Sequence, residues 1–170
     1  MAMLIEQNGK QFRLKNSERF KFVYVFEKGI SLFTQVPFRA GEDVSLLRGE
    51  PVDVSVSSPQ SVQIDGQSFL DTEYLVEEDF INHSCDPNTM FDMSRKRIVA
   101  IKNIPPDSEI TYNYLTTEWD LKEFDADFQC KCGSPKCMGH IRGFRYLSRP
   151  EREALKPLLS PFLRSKLCQN

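Results

Sequence analysis

One short stretch, Cys130-Lys-Cys132-Gly-Ser-Pro-Lys-Cys137, limits this chain more than any other, because it sets three thiols in a C-x-C-x4-C pattern on a turn-rich loop. Three thiolates so close can converge on one ion, and structural zinc takes four ligands. The fourth must come from elsewhere, with Cys85, Cys168, His83 and His140 as candidates. Local chemistry favours Cys85. It sits in Asn82-His83-Ser84-Cys85-Asp86-Pro87-Asn88, a run whose side chains bond nearby backbone and build irregular loops. A metal shared by Cys85 and the knuckle would tie that loop to the segment after Tyr114. Cys168 is then a free thiol. The opposing reading is three unconnected, redox-active thiols, as in a redox or metal-transfer protein, and it needs sulfurs that zinc would mask.

Five cysteines leave one over from any disulfide set, and Met1 to Lys10, with Glu6, Asn8 and Gly9, lacks the apolar stretch of a secretory signal. The expected compartment is therefore reducing and intracellular. No apolar run reaches the ~18 residues of a membrane span. At 170 residues, 40% hydrophobic and 27% charged, the chain suits one globular domain with its own core, expected as a monomer.

The first half reads as short strands between turns: Phe20 to Phe26, Ser31 to Val36, Val44 to Leu47, the alternating Val52, Val54 and Val56, and Ser61 to Ile64. A helical turn or two is expected within Asp71 to Phe80. Arg97 to Ile101 and Glu109 to Tyr114 are further strands, and on the last Ile110, Tyr112 and Tyr114 share a face. Aromatic residues so spaced are ordinarily core. Ser148, Pro150 and Glu151 open a short C-terminal helix, which Pro157 and Pro161 keep short, with Leu155, Leu158, Leu159, Phe162 and Leu163 as its docking face. The fold class is mainly β, a β-rich α+β chain without a βαβ rhythm.

Charge is uneven. The net charge of -2 argues against wholesale nucleic-acid binding. Asp65 to Asp86 holds seven acidic residues and no Lys or Arg, and Asp107 to Asp127 holds seven more against Lys122 alone. These stretches can attract a basic peptide or serve as a solvated face. His140 to Lys166 carries seven Lys or Arg against Glu151 and Glu153, a basic tail that could touch nucleic acid or pair with the acidic stretches.

These motifs together resemble the SET domain family of protein lysine methyltransferases. Asn82 to Asn88 resembles its NHSCxPN loop, Glu109-Ile110-Thr111-Tyr112-Asn113-Tyr114 its ELTYDY-type strand, and the knuckle its post-SET zinc segment. The resemblance covers roughly residues 20 to 140. It implies several small sheets around a knot-like core, with a SET core over 1–115, a zinc-binding post-SET segment over 116–143 and a helical tail over 144–170. It also implies zinc on Cys85, Cys130, Cys132 and Cys137. The family's G-x-G loop is only half kept, since Lys28-Gly29-Ile30-Ser31 has a serine at the second glycine. The segment from Pro51 to Leu75, which shapes substrate recognition in the family, is short, as in small stand-alone SET proteins of microbes.

By the same resemblance the cofactor is S-adenosylmethionine, with S-adenosylhomocysteine as product, contacted by Gly29, Asn82, His83 and Tyr114, His83 largely through its backbone. Tyr114 is the catalytic tyrosine, and Tyr112 holds the position that tunes methylation number, here toward mono- or dimethylation. A free lysine of pKa ~10.4 costs roughly 4.6 kcal/mol to neutralise at pH 7. A narrow aromatic channel favours the neutral amine by desolvation and holds it in line. The implied partner is a protein with a basic, lysine-containing segment such as a histone. The alternative is a catalytically silent, zinc-stabilised module that binds protein.

Overall fold

The computed structural model describes residues 2–7 and 10–167, with side chains from Leu14 to Leu167; Cys168 lies outside them. The chain opens with two antiparallel hairpins, β1 (Ala2–Gln7) with β2 (Lys10–Lys15) and β3 (Phe20–Val25) with β4 (Gly29–Thr34). The second turns through Glu27 and Gly29, both at positive φ, which favours glycine at the latter. Next come β5 (Asp43–Leu46), β6 (Glu50–Asp53), β7 (Val62–Gln63) and β8 (Ser68–Asp71). After them lie β9 (Asn82–His83), β10 (Thr89–Asp92), β11 (Arg97–Ala100) and β12 (Thr111–Tyr112). Strands β6, β8 and β7 form one small sheet, and β10, β11 and β5 another. The chain closes with the pair β13 (Phe128–Gln129) and β14 (His140–Ile141), then α1 (Arg149–Leu155) and α2 (Pro161–Ser165). The molecule is mainly β, as expected.

Two strands and one helical stretch are shorter than the sequence predicts, for local reasons. The valine alternation stops at Asp53, whose carboxylate accepts from the Ser55 amide at 2.9 Å and caps a 3-10 turn over Val54–Val56. Within Asp71 to Phe80, Asp71 still belongs to β8 and only Glu77–Phe80 coils, as a 3-10 turn. The strand expected over Glu109 to Tyr114 pairs only at Thr111–Tyr112. Asn113 Oδ1 accepts from the Leu115 amide at 3.0 Å and starts a 3-10 turn over Tyr114–Thr116.

The main core gathers Leu32, Ile98, Ile104 and Ile110, all fully buried, from the small sheets and their connections. A second cluster, Leu115, Leu121 and Ile141, packs against Cys85 and Cys130. A third joins Phe144 to Leu159 and Leu163 of the tail. The Ser148 amide donates to the Glu151 carboxylate at 2.7 Å at the start of α1, and Ser160 Oγ accepts from the Leu163 amide at 3.3 Å at the start of α2. The Ser160 amide reaches the Thr116 carbonyl at 2.8 Å, so the tail supports the turn that carries Tyr114. Part of the basic tail does pair with an acidic stretch, through Arg145 and Asp120 at 2.7 Å.

Candidate functional site

The site forms where β9 and β12 lie side by side in parallel, Asn82 opposite Thr111 and His83 opposite Tyr112. The Ser84 amide extends the pairing to the Tyr112 carbonyl at 2.9 Å. His83 pins the crossing with its ring: Nδ1 accepts from the Tyr114 amide at 3.1 Å, which leaves Nε2 to carry the hydrogen toward Cys85 Sγ at 3.2 Å. Burial, reinforced by the charge of Lys28, pushes the His83 pKa down to about 4, so the imidazole is neutral. Its side chain is thus engaged within the protein.

Asn82 is held just as firmly. Its Nδ2 donates to Ser31 Oγ at 2.6 Å and approaches the Ile30 carbonyl and Glu109 Oε1, each at 3.4 Å. Glu109 in turn pairs with Lys28 at 2.6 Å. Beyond Asn82 the two tyrosines meet, with ring centroids 4.8 Å apart. Tyr112 stacks on Phe91 at 3.8 Å, and Tyr114 packs edge-on against His83 and Phe128. The Tyr114 hydroxyl donates to the Ile81 carbonyl at 3.2 Å. Burial holds both phenols well above their ordinary pKa, so each keeps its proton and can donate a hydrogen bond.

Two cavities flank this pair. One, of about 320 Å³, is lined by Lys28, Asn82, His83, Tyr114, Phe128 and Cys130 among others. The other, of about 270 Å³, takes in Asp71, Glu78, Asp79, Tyr112, Tyr114 and Glu118. Their linings have only Asn82 and Tyr114 in common. The second cavity brings both acidic stretches together, Asp71, Glu78 and Asp79 from the first and Glu118 from the second. Burial pushes the carboxyls of Asp79 and Glu118 each up to about 7. Gly29 does not itself line the first cavity, although its neighbours Glu27 and Lys28 do.

The four sulfurs of Cys85, Cys130, Cys132 and Cys137 lie within 4.8 Å of one another, and none is in a disulfide. Burial pushes the Cys85 thiol up to about 11, while the Met138 amide donates to its sulfur at 3.4 Å. Four soft donors with no carboxylate among them match a closed tetrahedral zinc site, and a divalent cation would offset the repulsion among thiolates packed so closely. His140, another of the candidate ligands, faces Asp127 at 2.8 Å instead. Sequence reasoning passed over Phe128, whose only signal is its place just before the knuckle, and the hydroxyl of Ser31, which a backbone motif conceals.

With this geometry in view, the sequence profile described as "SET domain" matches residues 6–115, and the chain belongs to the SET domain family. Methyltransferase flvH of Aspergillus flavus is 37% identical over 76 residues, 44% of this chain and 41% of that protein. The histone-lysine N-methyltransferase, H3 lysine-9 specific dim-5, of Neurospora crassa is 29% identical over 133 residues, 67% of this chain and 35% of that protein. A crystal structure of KRYPTONITE in complex with mCHG DNA and SAH aligns at a TM-score of 0.59 and 25% identity, over 71% of this chain and 28% of that one. The chain therefore spans less than half the length of these relatives. Among the described residues no helix is long and apolar enough to cross a membrane.

Proposed function

We propose that this protein is an intracellular lysine methyltransferase that uses S-adenosylmethionine and acts on a basic segment of a protein. The observation that carries this reading is the pair of cavities that meet at Tyr114 and Asn82. A displacement at carbon needs donor and acceptor on opposite sides of one narrow point, and two cavities sharing a wall supply that arrangement. The family's relatives include histone-lysine methyltransferases, which supports a protein substrate.

S-adenosylmethionine supplies a methyl group activated by its sulfonium. We assign it to the cavity lined by Asn82, His83 and Phe128, and the target lysine to the acidic one. There the acidic lining, in which Asp79 and Glu118 are only partly charged near pH 7 and Glu78 faces Arg48, draws in a cationic side chain. The stacked rings of Tyr112 and Phe91 exclude water and so favour the neutral amine. The protonated Tyr114 hydroxyl orients the amine toward the first cavity. Tyr112, also protonated, narrows the space left for methyl groups, which favours mono- or dimethylation. Zinc on Cys85, Cys130, Cys132 and Cys137 would fasten 116–143, the post-SET segment, beside the core over 1–115, with 144–170 as the tail.

The test begins with calorimetric titration of zinc-loaded protein with S-adenosylmethionine, followed by mass spectrometry of basic peptides incubated with both. Binding that Asn82→Ala weakens, together with mono- or dimethylated product, supports the reading. No binding at millimolar cofactor would turn it toward a silent binding module. Exchange of Tyr112 for Phe should shift product toward a higher methylation number.

A further inference from the structure

We infer that Ser31 is a positioning residue, which turns the Asn82 carboxamide so that its carbonyl oxygen recognises the ammonium of an amino-acid ligand in the first cavity. This rests on the methyltransferase reading, and it assigns a task to a residue that departs from the family pattern.

The argument starts from burial. Ser31 stands in β4 opposite Val23 and is 0% exposed, so its hydroxyl has little but protein to bond with. That hydroxyl accepts from Asn82 Nδ2 at 2.6 Å, the shortest of the three contacts on this nitrogen. The other two oxygens, the Ile30 carbonyl and the Glu109 carboxylate, can only accept. A flipped amide would place Oδ1 against both, so the orientation of Asn82 is decided by its neighbours. Nδ2 faces inward and Oδ1 is left over. Among the described residues Oδ1 accepts no hydrogen bond from the protein, and Asn82 lines both cavities.

The Glu109 carboxylate is already paired with Lys28, so the left-over carbonyl oxygen of Asn82 is itself the acceptor offered to a charged donor. Of the groups a sulfonium cofactor presents, the ammonium of its amino-acid half is the donor of that kind. A glycine at position 31 would leave Nδ2 with two long contacts at 3.4 Å, a weaker hold on the rotamer.

The test compares the zinc-loaded wild type with Ser31→Ala and Ser31→Gly by calorimetry. Two ligands are used: S-adenosylhomocysteine, and 5′-methylthioadenosine, which lacks the amino-acid half. Loss of one hydrogen bond that fixes a polar contact should weaken S-adenosylhomocysteine about fivefold to tenfold in both variants. Binding of 5′-methylthioadenosine should stay within about twofold, because the adenosine half makes no use of Asn82 Oδ1. Equal weakening of both ligands, or no weakening of either, overturns the role given to Ser31. A wild type that binds neither ligand overturns the methyltransferase reading as well, so the two failures are distinguishable.

Discussion

At the scale of single residues, Tyr114 separates structure from chemistry. Its hydroxyl makes one hydrogen bond to the Ile81 carbonyl at 3.2 Å, worth about 1 kcal/mol of stability. If the same hydroxyl orients the reacting amine, its loss should cost about 100-fold or more in rate. Tyr114→Phe should therefore melt close to the wild type and bind cofactor normally, while single-turnover methyl transfer collapses. Unchanged turnover would remove Tyr114 from the chemistry. Glu118 offers a second residue-scale test, through pH. Burial raises its carboxyl from the ordinary 4.5 to about 7 in the folded chain. A raised pKa means that this group's stability is fully present below about pH 4.5 and is lost as pH climbs through 7. Glu118→Gln keeps the shape without the charge, so it should stabilise the protein above pH 7 by up to about 3 kcal/mol, and hardly at all near pH 4.5. Urea unfolding of both proteins at pH 5 and pH 8 reads this directly. A shift of equal size at both pH values would mean that the buried charge is not the cause.

Among the elements, the knuckle and its flanks matter most. The segment 118–121 is laced to 142–145: the Leu121 amide donates to the Arg142 carbonyl and the Phe144 amide to the Glu118 carbonyl, each at 2.9 Å. Gly143 sits at φ +119 between them, and a Cβ there would lie 2.5 Å from the Trp119 carbonyl oxygen. Gly143→Ala should thus cost about 2–4 kcal/mol, measurable in the same urea titration. Removing the metal attacks the same elements from the other side. Cys132→Ser should speed hydrogen exchange across residues 119–143 and abolish cofactor binding, because Phe128 and Cys130 line the first cavity. Intact cofactor affinity in verified metal-free protein would refute that link.

Over the whole molecule, the mainly β class and the gathering of the four cysteines were more legible in the sequence than strand lengths. The cysteine pattern and the Asn82 to Asn88 loop stand out because metal and loop chemistry depend on residue type and spacing, which a sequence displays. The four sulfurs do gather, and the loop does meet the tyrosines. Strand lengths were harder to read, since Asp53 and Asn113 end strands by capping turns with their side chains, against an apolar alternation that runs on past them. Least legible were contacts between distant segments. Nothing local announces that Ser31 bonds Asn82, or that two acidic stretches line one cavity.

The parallel pairing of β9 with β12 has a consequence for how the chain comes to be folded. A hairpin can zip from its turn, but two parallel strands separated by all of β10 and β11 cannot. The entropy of closing that loop must be met before the pairing gives anything back, which puts it late in folding. During synthesis Asn82 and His83 therefore wait, unpaired, until the residues beyond Tyr114 have left the ribosome. A chain stalled before that point has its antiparallel hairpins, β3 with β4 and β10 with β11 among them, and no site at all.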